Sequence, residues 1–139
     1  MIEWPRLQFT YRAETAVLQP NLKGKILIQY TEPKMHIDGQ WLGVEGRRSL
    51  PVLNPATEQV LGNFPVATDE DLDRAVRSSV EGHRVWSAMS ANARGKILLK
   101  AAEILRERTD LIAGLMTLEQ GKPLSEAKGE IGGVSDILE

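Results

Sequence analysis

The sequence predicts an α+β chain in which small antiparallel strands over about 36–66 precede about four helices over about 68–139. Short apolar runs separated by turn residues fill the middle of the chain, and apolar residues at helical spacing fill its second half. Residues suited to helix ends stand at Thr68, Ser90, Gly121 and Pro123.

Residues 1–34 differ from the rest of the chain. They hold four of the seven aromatics, Trp4, Phe9, Tyr11 and Tyr30, while Pro5, Pro20 and Pro33 interrupt any regular element. The strand-like run 25–30 (KILIQY) is the one structural hint, and the rest is expected to be an irregular extension. The stretch lacks the charged start, apolar centre and small-residue cleavage site of a secretory signal, and Glu3, Glu14 and Glu32 oppose a transit peptide.

From Met35 the local signals agree with one another. Asp38 and Gly39 supply the positive φ angles of a tight hairpin turn, so 36–41 reads as two short strand ends around them. After a polar, glycine-bearing connection at 43–48, strands are expected over 49–53 and 59–66. Asn54, Pro55, Ala56 and Thr57 form the turn between them, because Asn side chains bond their own backbone and Pro fixes φ. The pattern is that of one small antiparallel sheet.

Thr68 opens the helical half, with Asp71 three residues on as an acidic variant of the capping box and Asp69 and Glu70 at the positive end of the helix dipole. Leu72, Ala75, Val76, Val80, His83 and Trp86 keep helical spacing to about Met89. Ser90 caps a second helix, with Ile97, Leu98, Ala101, Ile104 and Leu105 on one face, and Thr109 and Asp110, good caps and poor helix interiors, start a third. Gly121 stops that helix in the left-handed conformation, and Pro123 fixes the start of the last, where Ala127, Ile131, Val134 and Leu138 share a face. That stripe is still running at Glu139, so the last helix is expected to need a partner element.

Composition excludes several function classes. A net charge of -2 with both signs interspersed gives no field for a nucleic-acid partner, and no apolar run is long enough for a membrane helix. The absence of cysteine removes disulfides, thiolate metal sites and thiol nucleophiles. His36 and His83, the only histidines, lie far apart in sequence and are read as polar or half-buried packing residues. Arg94, Lys96, Lys100, Glu103, Arg106, Glu107 and Arg108 read as a solvated helix face. GEIGG near the C-terminus follows no strand and lacks the full glycine fingerprint of a phosphate loop.

HIDGQWL (36–42), LNPATEQVLGNFPVATDEDLDRAV (53–76), the Trp86 helix and LEQGKPLSEAKGEI (118–131) occur in the order and spacing found in the NAD(P)-dependent aldehyde dehydrogenases. Residues 35–139 resemble the opening part of that family, and the wording is most similar to bacterial semialdehyde dehydrogenases such as those for succinate semialdehyde. The resemblance implies a fragment of an α/β enzyme, with 1–34 as a non-matching extension and Met35 as the true start. It also implies a cut inside the last helix at Glu139.

In that family a cysteine thiolate attacks the aldehyde, hydride passes to NAD or NADP, and a water activated by glutamate releases the acid. None of that machinery is expected in this chain, so the resemblance carries over no catalytic, cofactor-binding or metal residue. In some members a monovalent cation rests on backbone carbonyls before the NP turn and on the acidic residue before GKP. Those positions are Val52, Leu53 and Glu119 here, with Glu119 read more simply as a solvated helix-end residue. Val134 corresponds to a substrate-tunnel position, with core packing the simpler reading. The chain alone is expected to be inactive, to bind no cofactor, and to be cytoplasmic. Its expected partners are a further copy of itself or a full-length dehydrogenase subunit, the latter making it a non-catalytic interaction module.

Overall fold

A computed structural model describes the backbone of residues 18–20 and 26–28 and the whole of residues 30–139. Strands β1 (Leu18–Pro20) and β2 (Ile26–Ile28) pair antiparallel, with Leu18 opposite Ile28. The strand expected in 25–30 corresponds to β2, and the remainder of the expected irregular extension lies mostly outside the described residues. Strands β3 (Met35–Ile37) and β4 (Gln40–Leu42) form the Asp38-Gly39 hairpin, with φ of 52° and 74° at its two turn residues.

Strands β5 (Ser49–Leu53) and β6 (Val60–Pro65) pair around the Asn54 turn. Asn54 Oδ1 accepts from the Ala56 amide at 2.9 Å, and Asn54 O accepts from the Glu58 amide at 2.7 Å. Glu58 takes up the left-handed conformation, φ 59°, that closes the turn.

The expectation of a single sheet is corrected: among the described residues the strands form three separate two-stranded ladders. Each ladder closes locally, while the connections redirect the chain. Between β4 and β5 the Arg47 amide donates to Val44 O at 3.1 Å across a turn holding Gly46 at φ 68°. That turn sends the Arg47 side chain to a helix terminus.

Helix α1 (Asp69–Ala88) begins with the reciprocal capping box: Thr68 Oγ1 accepts from the Asp71 amide at 3.2 Å, and Asp71 Oδ2 accepts from the Thr68 amide at 3.1 Å. Helix α2 (Ala91–Glu107) begins where Ser90 Oγ accepts from the Ala93 amide at 3.2 Å. Helix α3 (Thr109–Gln120) follows a break at Arg108, whose φ of -103° and ψ of 11° leave the helical region. Thr109 does not cap forward as expected. Its hydroxyl donates backward, to Arg106 O at 2.9 Å and Leu105 O at 3.2 Å, tying the start of α3 to the end of α2.

Gly121 ends α3 at φ 71°, its amide donating to Thr117 O at 3.0 Å, and α4 (Leu124–Leu138) starts after Pro123. A Cβ on Gly121 would stand 3.1 Å from Pro55 Cγ, so the Asn54 turn sits against this cap. Gly121→Ala is expected to cost about 1–2 kcal/mol for the left-handed backbone alone. Urea titration of the variant against the parent chain measures it.

The core lies where α4 packs on α2 and α3. Ala113, Ala127 and Ile131 are buried, with Leu105, Ile112 and Met116 packed around them. Ala102 is also fully buried, and these small side chains let the helices approach closely. The buried line on α4 is Ala127, Ile131 and Ser135, at i, i+4 and i+8. Ser135 satisfies its hydroxyl by donating to Ile131 O at 2.9 Å. Val134, expected on the core stripe, is instead 49% exposed, because it lies about 100° around the helix from Ser135.

The apolar stripe of α1 meets no comparable partner. Leu72, Val76 and Val80 are 61%, 53% and 66% exposed, and Ile97, Leu98 and Leu99 of α2 are exposed as well. No described helix is long and apolar enough to cross a membrane.

Candidate functional site

Among the described residues, two places that bring distant residues together bear on function. The first is a cleft of about 480 Å³ between the β5–β6 hairpin and the C-terminal end of α3, lined by Tyr30, Pro33, Val52, Leu53, Phe64 and Glu119 among others. Its walls arise from local structure. The β5–β6 register shifts between Val52 and Leu53, which takes backbone groups there out of regular pairing, and the Gly121 cap ends α3 two residues after Glu119.

Val52, Leu53 and Glu119, the positions implied for a monovalent cation, therefore line one cleft despite their separation in sequence. Carbonyl and carboxylate oxygens are the donors a hard cation takes. The Glu119 carboxylate has a partner that the sequence did not suggest: Tyr30 donates its hydroxyl to Glu119 Oε1 at 2.7 Å. Burial, that hydrogen bond and the negative charges of Glu119 and Glu32 together push the Tyr30 phenol well above its ordinary range, so it stays a donor. Glu119 is exposed at the helix end as expected, but it is engaged by the phenol. Among the described residues no cluster of three or more His, Cys, Asp or Glu side chains is placed to hold a metal.

The second place is the N-terminus of α1. Asp71 is 5% exposed, and its carboxylate takes both guanidinium arms of Arg47, one to Oδ2 and one to Oδ1 at 3.3 Å, while still accepting from the Thr68 amide. The Arg47 hydrogen bond, then the Thr68 amide, hold the carboxyl at about 2, against an ordinary value of 3.8. Arg74 approaches the same carboxylate at 3.6 Å. This node fastens the β4–β5 connection to α1. It is a structural tie.

The remaining candidates are dispersed. His36 and His83 are both exposed rather than half-buried, and His36 lies against Trp41, its cross-strand partner, with ring centroids 4.6 Å apart. On α2, Lys100 pairs with Glu103 at 2.6 Å on the exposed face. Arg106 instead reaches Asp136 at 2.9 Å and Glu139, so part of the face expected to be solvated clamps α4. Arg94 donates to Met89 O at 2.9 Å, across the junction between α1 and α2.

The model of the aldehyde dehydrogenase family matches residues 41–139, which is most of the chain. The chain belongs to the aldehyde dehydrogenase family. Solved structures of dehydrogenases agree. An NAD-dependent benzaldehyde dehydrogenase from Corynebacterium glutamicum is 30% identical with a TM-score of 0.70, over 76% of this chain and 23% of that one. An aldehyde dehydrogenase from Brucella melitensis biovar abortus is 31% identical with a TM-score of 0.71, over 76% and 22%. Aldehyde dehydrogenase 21 from Physcomitrella patens, solved with the reaction product succinate, is 29% identical with a TM-score of 0.72, over 80% and 23%.

The chain thus spans less than a quarter of the length of the dehydrogenases it matches. The described strands are antiparallel hairpins, and the glycine cluster Gly129, Gly132 and Gly133 lies inside α4 rather than in a loop between a strand and a helix.

Proposed function

We propose that this chain supplies the N-terminal strand-and-helix scaffold of an NAD(P)-dependent aldehyde dehydrogenase, and acts by packing against the remaining elements of such an enzyme rather than by turnover on its own. The exposed stripe Leu72, Val76 and Val80, on a helix whose two ends are properly formed, carries this reading. A well-capped amphipathic helix with an uncovered apolar face is built for a partner surface. Chemistry points the same way. The family's nucleophile is a thiolate, and this sequence has no cysteine to provide one.

The substrate class proposed for the complete enzyme is a semialdehyde, in the cytoplasm. The HIDGQWL and LEQGKP wording supports it, as does the similarity to the plant dehydrogenase solved with succinate. The purified chain, given NAD or NADP with succinate semialdehyde or benzaldehyde, is expected to form no reduced cofactor. Co-expressed with a tagged full-length dehydrogenase of this family, or with such an enzyme lacking its own first helices, it is expected to co-purify. Turnover by the chain alone would refute the scaffold reading. Failure to associate with either partner would remove its support.

A further inference from the structure

We propose that Tyr30, Glu32 and Pro33 form an intramolecular strap across the cleft between the β5–β6 hairpin and α3, with the Tyr30–Glu119 hydrogen bond as its clasp. The clasp keeps the one carboxylate lining that cleft engaged by the chain's own phenol.

Three independent contacts define the strap. Tyr30 donates to Glu119 Oε1 at 2.7 Å, 89 residues away in sequence. Glu32 Oε1 accepts from Asn63 twice, from the backbone amide at 3.3 Å and from Nδ2 at 3.4 Å, which ties the same segment to β6. Gly62 supplies the third. A Cβ there would stand 3.0 Å from Tyr30 Cε1 and 3.2 Å from Glu32 Cγ, so the strap lies against backbone that only glycine leaves open.

Pro33 lines the cleft beside Tyr30, and β2, just upstream, contacts α3. The strap precedes residue 41, where the match to the family model begins. Its effect is to join β2, the β5–β6 hairpin and the end of α3 at one point. The inference stands apart from the scaffold reading, since it requires neither a partner nor a cofactor.

Hydrogen–deuterium exchange on the full chain tests it, comparing the parent with Tyr30→Phe, Glu119→Ala and the double variant. A hydrogen bond to a charged acceptor holds the strap closed by roughly tenfold. Exchange across 26–34 and at the Asn63 amide is therefore expected to rise roughly tenfold in Tyr30→Phe, with α2 and α4 unchanged. The double variant is expected to match the single ones, because all three lose the same bond. Gly62→Ala, which displaces the strap from the other side, is expected to give the same local increase.

Unchanged exchange at 26–34 in Tyr30→Phe would overturn the proposal, and so would effects that add in the double variant. Sodium chloride is to be compared with choline chloride at equal ionic strength. Equal protection in the two salts is expected, and protection of 26–34 that requires sodium would overturn the clasp by showing the carboxylate held by an ion.

Discussion

Ile131→Ala is expected to destabilise the helical unit by about 2–5 kcal/mol, the range for removing a buried aliphatic side chain from a packed site. Ile131 is 5% exposed and joins Ala113 and Ala127 at the centre of the core, with Leu105, Ile112 and Met116 around them. The loss is large beside the few kcal/mol by which a small core holds a domain together. Urea denaturation followed by far-UV circular dichroism reads it directly. A midpoint unchanged from the parent chain would show that α4 is not seated on α2 and α3 as described. Val134→Ala, one residue from the buried line and 49% exposed, is the matched control and is expected to change the midpoint little.

The second large effect is at the N-terminus of α1. Thr68→Ala removes one side of the capping box and is expected to cost about 1 kcal/mol. Asp71→Asn is expected to cost more than Thr68→Ala, because it weakens the other side of the box and also leaves the Arg47 guanidinium without its ionic partner.

The pH dependence has a definite sign. The folded carboxyl is held at about 2, below its ordinary 3.8, so the folded state binds this proton less tightly than the unfolded chain. The stabilisation is fully present above 3.8 and is lost as the pH falls through about 2. Acid titration of thermal melts is expected to show a steeper decline across that window in the parent chain than in Asp71→Asn. Parallel curves for the two proteins would remove the ion pair from the account.

Much of the fold is written in short stretches of sequence. The Asp38-Gly39 turn, the Asn54 turn, the Thr68 and Ser90 caps and the Gly121 stop were all legible because each depends on groups within about four residues of one another. A capping box is satisfied by its own helix wherever that helix packs. The family resemblance was legible for a related reason, since several such local signatures stand in one order.

The candidate cleft was legible only in its parts. Val52, Leu53 and Glu119 were singled out through the family resemblance, but nothing near them pointed to Tyr30, which lies far from Glu119 in sequence. The Arg47–Asp71 pair was equally hidden. The sequence showed Asp71 as an acidic member of the capping box, but Arg47, Arg48, Arg74 and Arg77 were all near enough in the chain to answer it. The choice of Arg47 rests on the turn at Gly46.

The sequence by itself determined the kinds and approximate limits of the elements from β3 onward, the family resemblance, and the absence of a thiol nucleophile. Tertiary structure alone decided that the strands form separate ladders, that Ser135 rather than Val134 faces the core, that the stripe of α1 is uncovered, and that Tyr30 closes on Glu119. The physical reason is range. Hydrogen-bonded turns and caps are fixed by the backbone within a few residues, whereas the choice of buried face depends on which distant surfaces meet and which small side chains let them approach.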